Sequence, residues 1–463
     1  MRMKIAYIGT KGLPPRGGAD RVVEALVSRL AGQHEITVYC SSRYTPPDLQ
    51  VPDIRLIRVP CLAGKHSHMT SVDFLSAWHA VTRGDYDLVH MHNIEASFIL
   101  PVLKMRYKVV ATAHGWPYLD EKWSRIARTM IRFTEKPFAL MSDAATSVCS
   151  RYAEYFEHKH GRPLTVIPNG VENSPVADRE AAAALLEEIG IHKDRPFLLF
   201  AAGRIVPLKG CHLLLDAHKR LGLDIPILII GDIHQKRDYG EKLLTSSNGK
   251  VHFHPLVPQA TLMGLLSLAR TFVFPSTREG MSMMLLEAAS IGVPTISSDI
   301  PENREVLGPG GVYFESGNSE DLARAMQWGL QNIDVMYRIA GETKNHLGWK
   351  LSWDRIASQY ERIYYEVANG RAWRTAGRTP EFAPNPVALE KAPGMVMKLL
   401  AERRALPREM SRASLRHRES DEVEAEECLA GSSGRDHAGV YSPHGVAERD
   451  GKSAHSDLAQ GRR

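Results

Sequence analysis

Two glutamates eight positions apart, Glu279 and Glu287, stand in the segment PSTREGMSMMLLEAASIGVPTISSDIPENREVL at 275–307. Carboxylates fixed around one helix start accept hydrogen bonds from sugar or ribose hydroxyls, while backbone N–H groups near Gly280, Met281 and Ser282 face a phosphate. Glu287 has Met283, Met284 and Ile291 at i−4, i−3 and i+4. It therefore projects from the apolar side of the predicted helix and needs a hydrogen-bonding partner there. A second set of charges, Arg204 and Lys209 in PFLLFAAGRIVPLKGCHLLLDA, supplies cations able to neutralise a diphosphate as a glycosidic C–O bond breaks. His114, in VVATAHGW, ends an apolar strand and is followed by a permissive glycine.

Such side chains need strand ends and helix starts to hold them. The run TFVFP at 271–275 reads as a buried strand, 276–280 as a polar turn, and 281–291 as a helix stopped by Gly292, Val293 and Pro294. Glu279 then lies on a loop at a strand's carboxyl end, where open α/β sheets bind ligands. The chain opens in the same style, with a strand at 4–9, a helix at 19–30 and a strand at 35–40. Further strands are predicted at 56–59, 88–92, 109–113, 145–148 and 164–167. A second series follows at 197–201, 227–230, 251–253, 271–274, 295–297 and 311–314. The expected organisation is α/β, with a first Rossmann-like domain over 1–171 and a second over 172–351. A final amphipathic helix (352–370) and a polar tail (371–463), rich in charge and poor in aromatics, complete it.

The E-x(7)-E element after a strand, preceded by R-x(4)-K, resembles the donor-binding signature of the retaining, family-four nucleotide-sugar glycosyltransferases, whose GT-B fold sets two Rossmann-like domains face to face. The resemblance covers roughly residues 4–370. It implies that Glu279 contacts the transferred sugar, Glu287 the nucleotide ribose, and Arg204 and Lys209 the diphosphate. It implies that His114, in a T-x-H-G-type loop, faces the donor sugar across the cleft, and that the final helix crosses back to the first domain. Gly17 and Gly18 resemble the family's G-G-x-E loop, where small residues let backbone approach the donor, although Asp20 stands where Glu is commoner. Met281 and Ser282 replace the commonest E-G-F-G continuation. Asn303 and Glu305 fall in what would be the post-signature loop, and the opening is most similar to rhamnosyltransferase-like members. The implied reaction moves a sugar from a nucleotide diphosphate to a carbohydrate or lipid-linked glycan, as in polysaccharide or glycoconjugate synthesis.

Other chemistries find less support. The first loop, GTKGLPPRGGADRVVEAL, holds no G-x-G-x-x-G and no G-K-[ST], and the second strand ends in Cys40, Ser41 and Ser42 without an acid for an NAD ribose. No cofactor is expected. Asp85 and Asp87 form a D-x-D but precede their strand, at the sheet's other edge, so no essential metal is expected. His90 and His92 alternate onto one strand face. His92 and Asn93, at the strand's end, are candidates to line an acceptor pocket. A nucleotide-sugar epimerase, an NAD-dependent oxidoreductase and a non-catalytic sugar-nucleotide binder stay open as alternatives.

Composition agrees with a soluble enzyme: 463 residues, 43% hydrophobic, 24% charged, net charge +5 and a pI near 8.8. Mild basicity suits an anionic donor or a membrane surface and does not point to nucleic acid. The five cysteines form no C-x-x-C, and the first residues turn polar too early for a signal peptide, so a cytoplasmic setting is expected. Lys122, Arg125, Arg128, Arg132 and Lys136 recur at helical spacing beside Trp123, Ile126 and Met130. This stripe is a candidate for peripheral contact with the membrane's inner face.

Overall fold

The computed structural model describes residues 2–64, 67–116, 125–172, 175–192 and 194–371. The expected polar tail beyond 371 lies outside them.

Seven strands form the first sheet: β1 (Lys4–Ile8), β2 (Glu35–Ser41), β3 (Ile54–Val59), β4 (Leu88–His92), β5 (Lys108–Ala113), β6 (Ala144–Ser147) and β7 (Thr165–Val166). All run parallel, in the order β3-β2-β1-β4-β5-β6-β7. The second sheet holds β8 (Leu198–Arg204), β9 (Ile227–Asp232), β10 (Val251–His254), β11 (Thr271–Phe274), β12 (Thr295–Ser298) and β13 (Val312–Phe314). It too is parallel, ordered β10-β9-β8-β11-β12-β13. Parallel strands joined by helices are covered on both faces, which explains their almost unbroken apolar runs. β4 and β11 are buried at every position.

Each order reverses once, between β1 and β4 in the first sheet and between β8 and β11 in the second. Helices leave in opposite directions at such a point and open a crevice beyond the strands' carboxyl ends. The loops after β1, β4, β8 and β11 are therefore the ones able to build a site, and β5 lies next to β4.

The last helix, Trp353–Ala368, packs on the Gly18–Leu30 helix and on β5 of the first sheet. Its Ile356, Tyr360, Ile363, Tyr364 and Val367 join Ile5, Tyr7, Val23 and Leu26 in one apolar cluster. The chain leaves the first sheet near Val171 and returns beside it: Val171 N donates to Leu351 O at 2.6 Å, and Trp353 N donates to Val171 O at 3.2 Å. Among the described residues no helix is long and apolar enough to cross a membrane.

Candidate active site

Backbone geometry docks the loop after β8 against the end of β11. Gly210 sits at φ 69°, and a Cβ there would come within 2.1 Å of Pro275 O, so only glycine allows this approach. Leu208 O accepts from Thr277 N at 2.8 Å and from Ser276 Oγ at 3.2 Å. That pinning brings Lys209 Nζ to 2.6 Å from Glu279 Oε1, which also accepts from Ser276 Oγ at 2.6 Å. The Glu279 side chain is 9% exposed. Arg204 ends β8 as an exposed side chain, so both sequence-predicted cations lie at the second sheet's reversal.

Glu287 projects inward from the helix Met283–Ile291 and is buried. The partners that its position demands are Arg21, on the Gly18–Leu30 helix, and Gln259, whose Nε2 donates to Oε1 at 3.0 Å. Burial pushes its carboxyl above the usual range, against the opposing pull of Arg21. Its second oxygen, Oε2, is buried and accepts no hydrogen bond.

The helix begins two residues later than the sequence suggested, because Ser282 is its N-cap and accepts from Leu285 N at 3.3 Å. Met281 is buried at 6% exposure, its carbonyl accepting from Asn169 Nδ2 at 3.0 Å. Its side chain belongs to the core cluster that holds Leu285 and Ala288. Gly280 meets the other half of the molecule: a Cβ there would fall 2.2 Å from His114 O. The Glu279 loop and the His114 loop are thus in backbone contact.

His114 follows β5 and is partly exposed, with Nε2 2.8 Å from His92 Nδ1 and the two rings stacked at 5.1 Å. Burial pushes its imidazole down to about 4, so the ring is neutral near pH 7. His92 is 0% exposed. His92, expected to line an acceptor pocket, is packed between the rings of Tyr7, His90 and His114, and Tyr360 and Tyr364 of the helix Trp353–Ala368 pack against its neighbour His90. His90 is equally buried, between Tyr364 OH at 2.6 Å and Thr112 Oγ1 at 2.8 Å. Asn93 remains half-buried at the end of β4, its Nδ2 donating to Gly9 O at 2.8 Å.

Asp20 organises the glycine loop, its two oxygens accepting from Lys11 N and Arg16 N at 2.9 Å each. Gly17 and Gly18 start the helix, and around a Cβ at Gly18 there is open space. Asn303 and Glu305 lie on a helix, Pro301–Leu307, and not in a loop. Asn303 Nδ2 donates to Ser298 Oγ at 2.9 Å, while Glu305 accepts from Ser150 N and Oγ at the start of the helix Ser150–His160. Asp85 pairs with Lys4 at 2.6 Å and Asp87 accepts from Lys4 N, both at the strands' amino ends. Lys122 and Trp123 lie outside the described residues, as do the side chains of Arg125 and Ile126. Arg21, Gln259 and Ser276, which hold the two candidate glutamates, are partners that sequence reasoning missed.

Residues 16–174 match the family described as Glycosyltransferase Family 4, and residues 184–345 match Glycosyl transferases group 1. The MMP alpha-(1->4)-mannosyltransferase of Mycolicibacterium hassiacum is 24% identical over 78% of this chain and 98% of its own. The UDP-Gal:alpha-D-GlcNAc-diphosphoundecaprenol alpha-1,3-galactosyltransferase of Escherichia coli is 26% identical over 65% of this chain and 81% of its own. Among solved structures, Anabaena HepE in complex with UDP-glucose superposes with a TM-score of 0.65 at 16% identity, over 79% of this chain and 100% of that one. The chain therefore belongs to the family-four, group 1 glycosyltransferases and has their GT-B fold.

Proposed function

We propose that this glycosyltransferase moves a sugar from a nucleotide diphosphate to a carbohydrate or lipid-linked glycan, with retention of anomeric configuration and without a metal ion. The observation that carries the reading is the buried, unpartnered Oε2 of Glu287, on the helix that follows the loop of the Lys209–Glu279 pair. A ribose hydroxyl satisfies that oxygen, and a buried acceptor left without a donor is costly. With donor bound, Lys209 and Arg204 hold the diphosphate, and Glu279 and His114 orient the sugar. The C1–O bond to phosphate breaks with its electron pair passing to the phosphate oxygen. The acceptor oxygen bonds C1 on the same face, and its proton goes to the departing phosphate. Positive charge fixed beside that oxygen favours the transition state over the ground state.

The acceptor reading extends to a lipid surface. On the helix Arg125–Met141, Met130, Phe133 and Leu140 fall on one side and are 66%, 75% and 49% exposed. Arg132 and Lys136 are exposed beside them, whereas Glu135, the helix's acid, is buried against Lys159 and His160. An outward apolar stripe bordered by cations suits an anionic bilayer at its cytoplasmic face. Phe133→Asp should abolish co-sedimentation with phosphatidylglycerol vesicles and spare transfer to a water-soluble acceptor. Unchanged sedimentation would remove the membrane from this proposal.

The central test is a thermal-shift screen of nucleotide sugars followed by transfer assays. A ligand at 100 times its dissociation constant adds about 2.7 kcal/mol of stability. Donor conversion without any acceptor would instead favour an epimerase, and stabilisation by nicotinamide dinucleotides alone an oxidoreductase.

A further inference from the structure

We propose that His92 is a positioning residue that sets the tautomer of His114, so that His114 offers Nδ1–H to the donor sugar. The proposal rests on the reading of His114 as the sugar-facing group of the first sheet.

A single hydrogen bond joins the two rings, His92 Nδ1 to His114 Nε2 at 2.8 Å. A neutral imidazole has one donor and one acceptor nitrogen, so one ring must give the proton and the other receive it. The choice is made at the far side of His92, where Nε2 is buried and has no partner. If His114 donated, the proton of His92 would sit on that nitrogen as a buried N–H with no acceptor. If His92 donates through Nδ1, only a lone pair is left bare. Orphaned buried N–H groups are the rarer of the two in folded proteins, and the desolvation of an unmet donor is fully felt. His92 Nδ1–H therefore donates, His114 Nε2 accepts, and the proton of His114 lies on Nδ1.

Neighbouring groups keep the His92 ring from escaping this arrangement. His90 lies against it with ring centroids 4.0 Å apart and the planes tilted by 35°, and both His90 nitrogens are engaged, by Tyr364 OH and Thr112 Oγ1. Tyr7 stacks on His92 at 5.9 Å and 17°, and its own hydroxyl lies 3.0 Å from Tyr364 OH. Burial holds His90 and His92 well below the usual histidine range, which agrees with neutral rings throughout. The helix Trp353–Ala368 thus reaches the cleft through Tyr364, His90 and His92 to His114.

Nitrogen NMR of the full-length protein labelled at histidine reads the tautomer directly. The expected wild-type signature is His114 protonated at Nδ1 and bare at Nε2. His92→Phe keeps the ring's bulk without its donor, and should mix the His114 tautomers and lower kcat on the order of tenfold, the worth of one redirected hydrogen bond, with donor KM little changed. His92→Asn places an amide N–H near the Nδ1 position and should restore most of both. His114 protonated at Nε2 in the wild type would overturn the proposal, and because that measurement needs no variant it holds even if His92→Phe fails to fold. A wild-type tautomer and normal kcat in a folded His92→Phe would overturn it equally. Normal turnover in His114→Ala is a different result: it would sink the site reading, and with it any catalytic use of the pair.

Discussion

Lys209 Nζ and Glu279 Oε1 are 2.6 Å apart although 70 positions separate them in sequence, and a Ser276 hydroxyl shares the same oxygen. A cation and an acid expected to serve different parts of one donor are held in mutual contact by the loops after β8 and β11. Replacing Lys209 or Arg204 by Ala should lower turnover by roughly two orders of magnitude, as for other lost transition-state charge contacts. Near-normal steady-state rates in both variants would remove them from the phosphate site.

Glu279 and Glu287 should fail in different ways. Glu279→Gln is expected to suppress transfer while leaving affinity for the free nucleoside diphosphate nearly intact. Glu287→Gln weakens charge-assisted bonds to ribose and should loosen donor and free nucleotide alike. Calorimetry beside sugar-transfer assays separates the two; loss of nucleotide binding in Glu279→Gln with an unaffected Glu287→Gln would contradict this division.

Acid should cost this site stability. His114, pushed down to about 4, stays neutral in the folded chain, whereas an unfolded histidine takes a proton near pH 6.5. The unfolded state then binds more protons between those values, so stability contributed here is present above about pH 6.5 and declines toward pH 4, by at most about 1.4 kcal/mol per unit. The stability of wild type relative to His114→Gln should therefore fall over that window. Parallel pH profiles in chemical denaturation would refute it.

Gly280→Ala tests the approach of the two loops. Its Cβ would enter to 2.2 Å of His114 O, a backbone atom that cannot rotate aside. The variant should fold, yet lose transfer by about a hundredfold because the reacting groups are displaced. Full activity with an unaltered circular dichroism spectrum would show that the contact is dispensable.

Exhaustive chelation should leave transfer intact. Loss of activity that manganese or magnesium restores would return Asp85 and Asp87, paired with Lys4 at the opposite strand ends, to consideration.

Much of this architecture was legible because parallel strands buried on both faces write continuous apolar runs, and because Gly292 stops the signature helix as expected. The pairing of His90 and His92 on one face was also readable from alternation. Which face it was depended on Tyr360 and Tyr364, more than 260 positions later, and so the burial of His92 was not. Arg21 and Gln259 escaped for the same reason: local spacing shows that Glu287 needs partners but cannot name residues brought in by tertiary packing. Ser282 did carry a local signal, a serine just before an apolar helical run, which marks the cap and places the helix start.

The two chain crossings at Val171 and Leu351 are bonded to each other through main-chain atoms alone, so no side-chain substitution there removes a partner from the tie between the two connecting segments.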